Sequence, residues 1–276
     1  MKKNILLPTD FSDNAWNAVV YALKLYAEIE CTFYFMHSIK NKIPTMANFS
    51  NKLKATLRGN AMKELLELKE MALNSNENPN HEFEIILSEN HLHTAIMSAI
   101  VKYHIDLVVI GKKGTTGSND IFFGGNTINT IKNVKGCPIL IVPDEHDYEI
   151  PKEIAFPTDF NRFYDNKELK PLKDLVELND SKIKIVHINV EPHLNEIQEY
   201  NHVMLKDYLK DYEHSFHWMP DYSTKADEIS EFINDLKIHI LVMINYKHSI
   251  LENIINEPVI KKLGTRPVIP FLVIPD

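Results

Sequence analysis

The segment Ile5–Phe11, ILLPTDF, returns as Ile154–Phe160, IAFPTDF, and further echoes follow in the same order along the chain. A run ending at His37 is matched by IKIVHINVEP (183–192), Leu107–Ile110 by Ile240–Ile244, and PILIVPD (138–144) by PFLVIPD at 270–276. A period of roughly 140 residues is far too long for a solenoid, so the chain is a tandem duplication of one whole domain. The charged stretch DEHDYEIP (144–151) reads as the linker. The two domains expected are therefore 1–145 and 152–276.

Within the first copy, apolar runs and helix-periodic segments alternate. Strands are expected at residues 4–7, Thr32–Met36, Phe83–Leu87, Leu107–Ile110 and Pro138–Val142. Helices are expected over Asp13–Ile29 behind a Ser12 N-cap, over about Lys52–Ala72, over His91–His104 and from Asn126 onward. Alternation of this kind predicts an α/β fold: two tandem five-stranded, mostly parallel open sheets flanked by helices. The apolar last strands, Ile139–Val142 and Phe271–Ile274, are expected to pair the two domains, because an exposed apolar edge is a liability that pairing removes.

Glycine is where the copies differ. Six of the eight glycines lie between Asp106 and Pro143: Gly111, Gly114, Gly117, Gly124, Gly125 and Gly136. They follow a β-branched strand and precede a helix, an order that points free backbone N–H groups and a helix N-terminus at an anion. Aligned without gaps, the second copy places Ile244 opposite Gly111, Lys247 opposite Gly114 and Glu257 opposite Gly124, so no similar anion site is expected there.

The formal net charge of −8 argues against a broad nucleic-acid surface. No apolar run approaches the roughly 18 residues of a membrane span. The apolar patch after Lys2 and Lys3 is cut short by Pro8 and Asp10, too short for a signal peptide, and reads as the first strand. Cys31 and Cys137 lack metal-ligand spacing and are too few for a disulfide framework, which fits a reducing cytoplasm. P-loop, G-x-G-x-x-G, G-x-S-x-G and H-E-x-x-H signatures are absent. His37 and His187 read as structural histidines at strand ends, Asp10 as either a cap or a ligand contact, and Lys112 and Lys113 as a solvated surface.

The spacing Gly111-x2-Gly114-x9-Gly124, with the first strand ending Pro8-Thr9-Asp10-Phe11-Ser12, resembles the universal stress protein family, and the duplication resembles its tandem type. The resemblance implies a cytoplasmic stress-response protein with a regulatory role, binding ATP or a related adenine nucleotide (ADP or AMP), with Mg²⁺ where the phosphates carry it. It places Gly111, Gly114, Gly124, Gly125, Asn126 and Thr127 around the phosphates, with Ile110 leading into the loop. Pro8, Thr9 and Asp10 would lie near ribose and adenine, and the backbone of Ser38 beside His37 at the adenine edge. The family pattern has Ser or Thr where this chain has Gly125, so one hydroxyl contact is missing. Ordering of the loop Gly111–Asn126 by ligand would alter the surface offered to a protein partner. A slow ATP hydrolase and a nucleotide-free interaction scaffold remain alternatives, and a homodimer is compatible with all three.

Overall fold

The wholly apolar LVVI of residues 107–110 demands cover on both faces, and it receives it as an inner strand of a parallel sheet. The computed structural model describes residues 2–40, 51–75, 77–112, 125–144, 146–189, 193–220, 225–246 and 269–275. These fall into two compact units, the first ending at Asp147 and the second beginning at Tyr148, inside the charged linker.

The first unit runs β1 (Lys3–Pro8), α1 (Asp13–Leu25), β2 (Cys31–Ser38), α2 (Asn51–Ser75), β3 (His81–Ser88), α3 (Leu92–Tyr103), β4 (Leu107–Gly111), α4 (Gly125–Asn133) and β5 (Ile139–Val142). Its strand order is β3-β2-β1-β4-β5, and every pairing is parallel. The second runs β6 (Glu153–Pro157), α5 (Lys170–Asn179), β7 (Lys182–Asn189), α6 (Glu196–Tyr208), β8 (His214–Pro220), α7 (Lys225–Asp235), β9 (Ile240–Asn245) and β10 (Phe271–Pro275). It repeats the order as β10-β9-β6-β7-β8, again parallel throughout. Register confirms the duplication: Ile5 faces Leu107 as Ile154 faces Ile240.

Each core is built from the strand residues and one stripe of each covering helix. In the first unit Ile5, Leu6, Leu7, Phe33, Phe35 and Val108 are sealed from solvent, with Ala18, Val19 and Ala22 of α1 against them; Ile154, Phe156, Ile183 and Ile185 do the same in the second. Cys31 and Cys137 are both free and buried, and burial pushes each thiol up to about 12. They serve as small apolar core residues, with no reactive thiolate.

Helix α1 stops at Leu25, one turn short of the predicted Ile29. The reason is tertiary. The next carbonyls are claimed by side chains entering from before and within β3: His81 Nε2 donates to the Tyr26 carbonyl at 3.0 Å, and Asn78 Nδ2 to that of Ala27 at 2.7 Å. The chain therefore turns early and enters β2 at Cys31.

Gly59 sits exposed inside α2, and a Cβ built there meets nothing within 4 Å. Gly59→Ala is expected to stabilise the first unit by about 0.5–1 kcal/mol, read as a higher urea midpoint at unchanged slope.

Candidate functional site

In the first unit the strand order reverses beside β1: β2 and β3 lie on one side, β4 and β5 on the other. Such a switch point leaves a crevice at the carboxyl ends of the two diverging strands. Here those ends are Pro8-Thr9 and Gly111-Lys112, and the helices that follow begin at Asp13 and Gly125.

The turn after β1 is held by its own side chains. The Thr9 hydroxyl accepts from Phe11 N–H at 2.9 Å, and Asp10 Oδ1 accepts from both the backbone N–H (3.1 Å) and hydroxyl (2.5 Å) of Ser12. Ser12 caps α1, accepting from Ala15 N–H. The turn forces Phe11 to φ +66°, an uncommon conformation for a bulky residue. Its ring rests on His37 at 4.5 Å. His37, buried at the end of β2, donates Nδ1–H to the Thr9 carbonyl at 2.7 Å. Thr9 and His37 thus shape the crevice with side chains already engaged. Asp10 is exposed at the mouth, and the Ser38 hydroxyl donates to the Asn90 carbonyl at 2.5 Å.

On the other side, Ile110 is buried and Gly111 meets the first turn of α1. A Cβ at Gly111 would lie 2.7 Å from the carbonyl carbon of Asn14, closer still to its oxygen, and 3.1 Å from Ala15 N. This glycine lets helix and strand close the crevice floor. Lys112 is 8% exposed, with its N–H donated to the Val142 carbonyl at 2.7 Å, so the solvated surface expected for it is corrected. β4 ends one residue before it, and the strand's alternation carries its side chain to the face opposite that of Gly111. Lys113, Gly114 and Gly124 lie outside the described residues. Gly125 and Asn126 form the first positions of α4, and Thr127 is buried on its third. Among the described residues no group of three or more His, Cys, Asp or Glu could hold a metal ion.

The corresponding place in the second unit is occupied by its own side chains. The same turn recurs: Phe160 N–H donates to Thr158 Oγ1 and Asn161 N–H to Asp159 Oδ1. Phe160 has φ +55°, and His187 Nδ1 donates to the Thr158 carbonyl at 2.9 Å. Ile244 takes the register of Gly111 and is buried. It fits because α5 starts thirteen residues after β6, whereas α1 starts five after β1. The longer connection delivers Arg162 and Tyr164 into the space. Arg162 pairs with Glu168 and stacks 4.5 Å over the Tyr246 ring. Tyr246 donates its hydroxyl to the buried Asp159 at 3.0 Å, and Tyr164 shares a hydrogen bond with Thr158 at 2.9 Å. Burial pushes the Tyr164 hydroxyl up to about 12 and that of Tyr246 higher, so both stay neutral donors.

Sequence reasoning anticipated the missing glycines but not this filling. Its signals were the long 158–169 connection and an aromatic residue two places after Ile244. Tyr246→Phe leaves the buried Asp159 short of one donor, and is expected to cost the second unit about 1.5–3 kcal/mol in chemical denaturation.

A doubly repeated, parallel α/β sheet with a glycine-lined switch point in one copy defines the class, and the comparisons give the family. The sequence model of the universal stress protein family matches residues 1–143. A universal stress protein from Archaeoglobus fulgidus DSM 4304 has a similar solved structure: TM-score 0.70 at 15% identity, covering 98% of this chain and 97% of that one. A protein of Pseudomonas aeruginosa UCBPP-PA14, described provisionally as a universal stress protein, gives TM-score 0.62 at 10% identity, covering 99% and 93%. No curated protein matches the sequence. This chain belongs to the universal stress protein family. Among the described residues no helix is long and apolar enough to cross a membrane.

Proposed function

We propose that this is a cytoplasmic regulatory protein of the stress response whose first unit binds ATP or a related adenine nucleotide, the second serving as a partner domain without a nucleotide. The observation that carries this reading is the asymmetry between equivalent places. The first unit keeps Gly111 against α1 and a glycine at the start of α4, whereas the second has Ile244 and the Arg162–Tyr246 filling.

In this reading the phosphates sit at the N-terminus of α4, where the amides of Gly125 and Asn126 and the helix dipole favour negative charge. The base and ribose lie along Pro8–Asp10 and the backbone of Ser38. Thr9 and His37 act by holding that turn in shape. Any Mg²⁺ would arrive as the counterion of the nucleotide. Its chemistry there is neutralisation of phosphate charge.

Calorimetric titration of the full chain with ATP, ADP and AMP, with and without Mg²⁺, tests the proposal. Saturable binding near one nucleotide per chain supports it. Absence of heat and of any shift in melting temperature at millimolar nucleotide counts against it and favours the interaction scaffold, to which the missing hydroxyl at Gly125 also points.

A further inference from the structure

Helix α6 of the second unit is packed inside out. Its buried face is Gln198, Asn201 and Leu205, while Ile197, Tyr200 and Val203 stand 66%, 61% and 61% exposed. A surface helix ordinarily turns its apolar stripe inward. Besides Leu205 and the capping Leu209, what holds α6 is a small set of polar contacts and one cluster of rings. Gln198 Nε2 donates to the Asp159 carbonyl at 2.9 Å and Asn201 Nδ2 to the Phe160 carbonyl at 2.8 Å, so both anchors end on the turn that follows β6.

The rings centre on Phe160, the residue at positive φ in that turn. Around it stand His187 at 4.9 Å, His202 at 5.2 Å, Trp218 at 6.1 Å and Phe216 at 6.3 Å. His202 belongs to α6 and packs edge-on against Phe216 at 4.4 Å. Two of the five rings that fasten the helix are therefore imidazoles. Because the Thr158 carbonyl can only accept, His187 carries its proton on Nδ1, and a second proton must go to Nε2. That nitrogen is buried with no hydrogen-bond partner, in a residue 3% exposed.

We propose that α6 is an acid-releasable latch: protonation of His187 and His202 breaks the ring cluster around Phe160 and frees the helix from the second unit.

The surrounding charges favour release. Among the described residues Asp159, in the turn after β6, is the carboxylate acting on His187, and its Oδ1 already accepts from Asn161 N–H and the Tyr246 hydroxyl. Lys225 of α7 opposes a positive His187, and Lys206 of α6 and His187 oppose a positive His202. Burial is the largest cause holding both imidazoles below the ordinary histidine value of 6.5. The sign follows: with α6 released or the unit unfolded, the two imidazoles take up protons first, so docking is fully stable above 6.5 and weakens as pH falls below it. His217, against Phe232 and Ser215, stands outside the ring cluster and serves as an internal control.

Hydrogen–deuterium exchange of the full chain at pH 7.5 and 5.0, corrected for the intrinsic pH dependence, tests the latch. Protection of residues 196–208 is expected to fall by about tenfold or more while α1 and α5 keep theirs. In the His187→Asn, His202→Phe double variant, which keeps a donor for Thr158 and a ring for Phe216, the acid response should disappear. If that variant does not fold, His202→Phe alone should shift the response to lower pH. Unchanged protection of α6 in wild type, loss shared equally by α5, or an undiminished response in a folded variant would each overturn the proposal.

Discussion

Gly111→Val is expected to destabilise the first unit by about 3 kcal/mol, the upper part of the usual range for overpacking a close contact. A strand welcomes a β-branched residue, so backbone preference does not supply the effect. The clash does: the new Cβ would stand 2.7 Å from the Asn14 carbonyl carbon and closer to its oxygen. Those are backbone atoms in the first turn of α1, unable to rotate aside. Either the helix start lifts off β4 or the strand end bends, and both distort the crevice floor. Chemical denaturation followed in the first unit checks the magnitude, with Gly59→Ala as the opposite-sign control. Loss of nucleotide binding in a Gly111 variant would then report packing, so the phosphate contact must be tested elsewhere.

Gly125 is the place to test it. As the first residue of α4, it can accept an acidic side chain without loss of the helix, because a carboxylate near a helix N-terminus is stabilising. Gly125→Asp puts that carboxylate where the account places phosphate. Like charges a few ångströms apart should weaken ATP binding by about 100-fold or more, roughly 3 kcal/mol. Gly125→Ser should act in the other direction, restoring a hydroxyl donor to a charged acceptor and tightening binding about tenfold. Calorimetry on the pair reads both signs. Equal affinities in wild type, Gly125→Asp and Gly125→Ser would place the ligand away from α4.

The strands were legible because each inner one is an unbroken apolar run, and ILLPTDF against IAFPTDF exposed the duplication directly. The end of α1 was not, because the side chains that stop it, Asn78 and His81, come from fifty or more residues away. Gly111 was legible as a special position, but its close approach to the Asn14 carbonyl was not, because that contact joins the end of β4 to a helix start almost a hundred residues earlier. Lys112 was misread because nothing in KKG tells that its first lysine is turned inward. The filling of the second unit joins Thr158, Arg162, Tyr164 and Tyr246 across a separation no local pattern encodes. The inverted face of α6 is beyond local reading, because a helical period gives spacing but not which side is buried.

The first unit is proposed to bind an adenine nucleotide, and the second to have filled the equivalent place with its own side chains. Native mass spectrometry of the full chain with ATP, comparing wild type, Gly125→Asp and Tyr246→Phe, tests it most directly. One nucleotide per wild-type chain, none with Gly125→Asp and one with Tyr246→Phe is the expected result. Two nucleotides per wild-type chain, or one that survives Gly125→Asp, would contradict it.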